Sequence, residues 1–193
     1  MTKEISAKSV NEAIGTIVAK LCYQVADEVG ESLGEKTSRW RQENALSILE
    51  GADEKVSSIE NKQVHPRIMH RVIEDGSWCD DETVREMWSG LLASSCTETG
   101  KDDSNLLFIN TLNQLSTIEV KILKYVCDNS KKYRTTAGWI GAYRLELDVD
   151  FIVGITGVED VHRLDRELDH LRALELIDGG FESDLMVGSN LIQ

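Results

Sequence analysis

What is missing from this sequence narrows its class first. No run of about eighteen apolar residues exists to span a bilayer, and no N-terminal stretch joins a basic end to an apolar core and a small-residue cleavage site. A cytoplasmic protein with no membrane span is therefore expected. Cysteine is sparse and dispersed: Cys22, Cys79, Cys96 and Cys127 include no C-x-x-C pair, which disfavours a zinc site or a disulfide framework and favours reduced, partly buried thiols. Basic side chains are in the minority, 21 Lys and Arg against 34 Asp and Glu, for a formal net charge of −13. That field repels phosphate backbones and anionic membrane surfaces, so nucleic-acid binding requires a local basic patch. No serine or cysteine stands in a recognisable nucleophile context such as G-x-S-x-G.

What is present suits a folded domain. In 193 residues, 41% hydrophobic and 28% charged is ordinary for a soluble globular chain of one or two domains. The strongest helix punctuation lies between Val64 and Leu115. His65-Pro66 opens a helix, because proline at the first helical position gives up an N–H that has no partner there, and Gly76 closes it. Ile68, Met69, Val72 and Ile73 form its apolar stripe. A second helix starts near Asp80, read as its cap, with Asp81 and Glu82 at the positive end of the dipole and Val84, Met87, Trp88, Leu91 and Leu92 as the buried face. After the polar run Gly100 to Ser104, a third amphipathic helix begins with Leu106, Leu107, Ile109, Leu112 and Leu115.

Before this region, Val10, Ile14, Ile17, Val18, Leu21, Val25 and Val29 step at helical spacing opposite a largely acidic side. Interfacial membrane helices carry Lys and Arg on that side, so core packing or a homo-oligomer seam is the favoured role. A helix over residues 36–52 follows, with Trp40, Leu46, Ile48 and Leu49; Gly51 is expected to stop it, and residues 53–63 are the candidate hinge.

From residue 116 the pattern changes. Ser116 with Glu119 three residues on makes a capping box for a helix that buries Ile118, Ile122, Leu123 and Val126. A looser stretch follows, in which Val149, Phe151 and Val153 suggest a short strand or helix. Val161, Leu164, Leu168, Leu171 and Leu174 mark a firm helix, and Asp178-Gly179-Gly180 between apolar runs reads as a hairpin turn. Over residues 116–188 this order resembles a winged-helix domain, with the 161–174 stretch in the place of its third helix. The expected fold is mainly α: N-terminal helices in 1–63 and a central helical region in 64–115 forming a bundle, then a winged-helix-like α+β domain in 116–193.

One resemblance bears on biology. The succession V-H-P-R at residues 64–67, E-x-W-x-x-L-L at 86–92 and F-I-x-x-L-x-Q-L-S-x-x-E-x-K-I-L at 108–123 resembles the bacterial abortive-infection alpha family over about residues 36 to 126. The resemblance implies anti-phage defence in which an infected cell stops growth or dies, and it brings no catalytic residues. A non-enzymatic component acting through a phage or host protein partner is the expectation, with no cofactor and no metal.

The alternative is a nucleic-acid-binding winged-helix regulator. Its anchor would be the one basic concentration, Lys121, Lys124, Lys131, Lys132 and Arg134, interleaved with Tyr125 and Tyr133, since lysines beside aromatic rings hold phosphates and stacked bases. A solvated face and loop is the plainer reading of that cluster. Against the regulator, Arg163, Arg166 and Arg172 on the third helix are matched by Asp165, Glu167 and Asp169, and the wing is acidic, so nucleic acid should bind weakly or not at all. Trp40 and Trp88 are the candidate interaction or core aromatics. Asp75, Asp80, Asp81 and Glu82 suit capping better than a metal, and neither His65 with His70 nor His162 with His170 has the i, i+4 spacing of paired ligands.

Overall fold

The computed structural model describes residues 16–17, 39–56 and 62–178. The chain divides into two compact units, Met1–Gln114 and Leu115–Gln193, and among the described residues the fold is mainly helical with one small two-stranded sheet.

In the first unit, α1 spans Arg39–Val56, α2 Pro66–Gly76, α3 Glu82–Ser94 and α4 Leu106–Gln114. Gly51 does not stop α1. The helix continues for a further turn because Ala52 and Val56 are buried on the face already occupied by Ile48 and Leu49. Gly51 lies where α1 meets α3: a Cβ there would stand 2.9 Å from Ser89 Oγ and 3.2 Å from Ser89 Cβ. The stretch expected to be a hinge is correspondingly tied at its edges. Residues 53–56 complete α1, and Gln63 and Thr97 exchange backbone hydrogen bonds of 2.7 and 2.8 Å in an isolated bridge, while 57–61 fall outside the described residues.

Helix α2 begins as the sequence predicts. His65 is its extended N-cap, Nδ1 accepting from the Arg67 N–H at 3.2 Å, and Pro66 occupies the first helical position. At α3 the cap is Asp81, not Asp80: its Oδ1 accepts from the Thr83 and Val84 N–H groups at 2.8 and 3.3 Å. Asp80 offers its backbone carbonyl to Arg85. The core of this unit gathers Ile48 and Leu49 from α1, Ile68 and Met69 from α2, Trp88 and Leu92 from α3 and Ile109 from α4, all essentially inaccessible. Val84, Met87 and Leu91 are half-buried, and Leu107 of the expected α4 stripe is exposed, as is Phe108.

The second unit contains α5 Thr117–Asn129, β1 Lys132–Arg134, β2 Ile140–Ala142, α6 Val149–Thr156 and α7 Val161–Ala173. The capping box of α5 is complete: Ser116 Oγ accepts from the Glu119 N–H at 3.2 Å and Glu119 Oε2 accepts from the Ser116 N–H at 2.7 Å. The ambiguous 149–153 stretch is helical because it is punctuated at both ends. Asp148 Oδ1 accepts from the Phe151 N–H at 2.7 Å, and Gly157, at φ +72°, closes the helix in the left-handed conformation. Asp160 caps α7. Ile118, Ile122, Ile152, Leu164, Leu168 and Leu171 form one core shared by α5, α6 and α7. The expected N-terminal stripe from Val10 to Val29, apart from Ile17, and the hairpin beyond Asp178 lie outside the described residues. Among the described residues no helix is long and apolar enough to cross a membrane.

Candidate functional site

The structure divides the basic cluster of the sequence into two parts. Lys121 and Lys124 belong to α5, where Lys124 Nζ lies 2.8 Å from Asp128 Oδ2 one turn on. Lys131, Lys132 and Arg134 belong to a β-hairpin where the sequence predicts a loop. The strands pair antiparallel as Lys132 with Ala142, Tyr133 with Gly141 and Arg134 with Ile140. Further backbone bonds continue the ladder at both ends: Tyr143 N–H donates to the Lys131 carbonyl at 2.9 Å, and Thr135 N–H to the Trp139 carbonyl at 2.8 Å. The turn is further closed by the Trp139 N–H donating to Thr135 Oγ1 at 3.0 Å.

Directly opposed residues share a face of an antiparallel pair, and successive residues alternate. Lys131, Tyr133, Trp139 and Tyr143 therefore line one face, and Lys132, Arg134 and Ile140 the other. The Tyr133 and Tyr143 rings meet at 4.9 Å between centroids, tilted by 52°. Glycine at 141 is what lets the Tyr133 ring lie across the ribbon, since a Cβ there would come within 2.5 Å of Tyr133 Cζ. Trp139 and Ile140 are 75% and 76% exposed. Arg144, not singled out by the sequence reading, adds a cation beside the hairpin and sits 3.5 Å from Glu146. Tyr125, by contrast, packs on Phe151 at 4.8 Å and is not part of the hairpin.

Helix α7 uses its polar side chains differently. Arg163 faces Glu167 at 3.7 Å, Arg172 is ion-paired with Asp169, and Glu167 Oε2 accepts from the Ser116 hydroxyl at 2.6 Å. His170 Nδ1 lies 2.6 Å from Oε1 of Glu119, a carboxylate only 1% exposed. Glu119 thus closes the α5 cap with one oxygen and holds α7 with the other. The capping box was readable as Ser116 and Glu119; its extension to His170, 51 residues away, had no sequence signal.

In the first unit the two candidate tryptophans separate. Trp88 is 2% exposed, inside the core. Trp40 is 41% exposed and meets Trp78, 60% exposed, at 6.4 Å between ring centroids. The Arg41 guanidinium stands 4.0 Å from the Trp78 ring centroid. Three donations hold it there: Nε and Nη2 to Ser77 Oγ at 3.0 and 2.8 Å, and Nη2 to the Glu74 carbonyl at 3.2 Å. Trp78 carries no signal in the sequence, because its turn position lies outside any periodic stripe. Close by, burial pushes the Cys79 thiol above its ordinary range, and burial likewise pushes Cys96 up to about 11. Of the acidic run considered as a cation site, Asp81 is engaged in capping and Asp75 accepts from Arg71 and Asn113.

The described residues thus define a mainly helical protein of two compact units, each with exposed aromatic rings beside guanidinium or ammonium groups. Residues 41–189 match the family described as abortive infection alpha, and the chain belongs to that family. Membership implies a part in abortive-infection defence. No curated protein and no solved structure matches the chain.

Proposed function

We propose that this protein is a non-enzymatic, cytoplasmic component of abortive-infection defence that acts by binding a protein of the phage or the host. The observation that carries the reading is the Trp40, Arg41 and Trp78 surface. Tryptophan and arginine dominate the energetically decisive centres of protein interfaces, where a large ring is desolvated against a partner. Here the rings are exposed and the guanidinium is already fixed by Ser77 and Glu74, so little side-chain freedom remains to be lost on docking.

In this reading the second unit is a winged-helix-like module with α7 as its third helix. The ion pairs of Arg163 and Arg172 and the attachment of His170 and Glu167 to the start of α5 support a packing or protein-binding role for that helix over reading duplex bases.

The test compares the parent with Trp40→Ser/Trp78→Ser in cells challenged with a phage panel, with thermal melting as the folding control. The double variant is expected to melt like the parent, to lose protection and to lose its principal crosslinked protein in infected cells. Full protection by a variant that folds normally refutes the proposal.

A further inference from the structure

We infer that the hairpin formed by β1 and β2 binds single-stranded nucleic acid, its rings stacking on bases and its cations holding the backbone. The inference is independent of the Trp40 and Trp78 surface and rests on three observations.

Charge is the first. The sixteen residues 130–145 contain Lys131, Lys132, Arg134 and Arg144 and no carboxylate, in a chain that elsewhere carries all 34 of its Asp and Glu. An exposed ribbon with four cations and no acid, in a chain of net charge −13, is matched to an anionic ligand.

The second observation is the ring arrangement. Tyr133, Trp139 and Tyr143 share one face of the ribbon with Lys131, and all three rings are exposed. A base stacks on such a ring only when its own face is free, which holds in a single strand and not inside a duplex. The strand rise of about 3.3 Å per residue makes the ladder from Lys131 to Thr135 roughly 13 Å long, room for two or three bases. Lys131 shares the ring face and Arg144 follows Tyr143 in the chain, while Lys132 and Arg134 add positive potential from the opposite face.

The third is the form of the tip. A membrane-inserting hairpin presents an apolar tip with its cations set back at headgroup level. Here the turn is Thr135, Thr136, Ala137 and Gly138, while Ile140 lies opposite Arg134 on one face and Trp139 lies opposite Thr135 on the other. Rings and cations alternate along the ribbon, the pattern of a stacking platform.

The experiment uses the full chain and a fluorescein-labelled oligodeoxythymidine of about 12 nucleotides, within the range one small binding module covers, followed by anisotropy. Binding is expected to weaken roughly tenfold or more in Trp139→Ala/Tyr143→Ala, as loss of stacked bases requires, and to recover in large part in Trp139→Phe/Tyr143→Phe. Lys131→Glu/Lys132→Glu is expected to abolish it. The logarithm of affinity should fall with the logarithm of salt at a slope of about −2 to −3, the value for three or four neutralised phosphates on a single strand. A duplex of the same length should bind roughly tenfold more weakly, its bases being unavailable for stacking. Circular dichroism checks that each exposed variant folds. No binding by the parent at about 50 mM salt overturns the inference. So does charge-dependent binding indifferent to Trp139→Ala/Tyr143→Ala, or equal affinity for duplex. Capture of the parent by phosphatidylserine vesicles without any oligonucleotide binding overturns it in favour of a membrane surface.

Discussion

Replacing Trp88 by alanine removes the largest side chain in the core of the first unit. The ring is 2% exposed, and it lies so close to α2 that a Cβ on Gly76 would stand 3.2 and 3.3 Å from its Cγ and Cδ2. A buried aromatic withdraws about 150 to 250 Å² from water, which at ~25 cal/mol per Å² is worth about 4 to 6 kcal/mol. Part of that is retained by the alanine methyl, and helix packing limits collapse of the cavity, so a loss of about 3 to 5 kcal/mol is expected. This is a large share of the roughly 5 to 15 kcal/mol that holds a domain together. In urea, with a slope of about 2 kcal/mol per molar, the midpoint of the first unit should fall by roughly 2 M. Far-ultraviolet circular dichroism follows the transition. An unchanged midpoint in a variant that has lost a binding partner would show that the ring serves an interface, and would refute the packing argument.

The other expectations concern contacts between segments distant in the chain. Gly51→Ala should lower stability by up to about 2 kcal/mol, because the added methyl meets Ser89 and a strain of about 1 to 3 kcal/mol outweighs the roughly 1 kcal/mol that alanine contributes in a helix; a midpoint that rises in denaturant titration contradicts this. Glu119→Ala should cost about 2 to 3 kcal/mol, since the Ser116 N–H and His170 both lose their acceptor, whereas Ser116→Ala loses a cap worth about 1 kcal/mol together with one bond to Glu167; a Glu119→Ala loss no larger than that of Ser116→Ala would show that the His170 contact adds nothing. Burial raises the Cys96 thiol from 9.0 to about 11. The unfolded chain therefore ionises first, and the contribution to stability is intact below pH 9.0 and lost as pH rises toward 11. Stability measured across that window should fall less steeply in Cys96→Ala, and site-resolved alkylation should label the exposed Cys127 well before Cys96.

Much of the helical framework was legible in the linear order of residues because caps and stripes are local. His65-Pro66, the Ser116 and Glu119 box and the three- and four-residue spacing of Ile68, Met69, Val72 and Ile73 each state their meaning within about one or two helical turns. The family signature is of the same kind, a succession of short patterns, and the match extends through residues 41–189. Local order also misled. Asp80 and Asp81 are equivalent as candidate caps on paper, and the direction of the chain entering α3 gave the role to Asp81.

The candidate surfaces were decided only by tertiary structure. Gly51 reads as a helix stop until α3 is placed beside it, and then it is the residue that admits Ser89. Trp40 and Trp88 are indistinguishable as large apolar residues in helices; position around each helix axis, relative to neighbours that the sequence does not show, sends Trp88 into the core and leaves Trp40 beside Trp78 at the surface. Lysines 131 and 132 come to share a ribbon with Tyr133 and Tyr143 only when the chain folds back and pairs Tyr133 with Gly141. Hydrogen bonding to the next turn is an interaction between near neighbours, and its code is written in near neighbours. Which rings and charges share a surface depends on packing between segments tens of residues apart, and that is settled by the shape of the core they enclose.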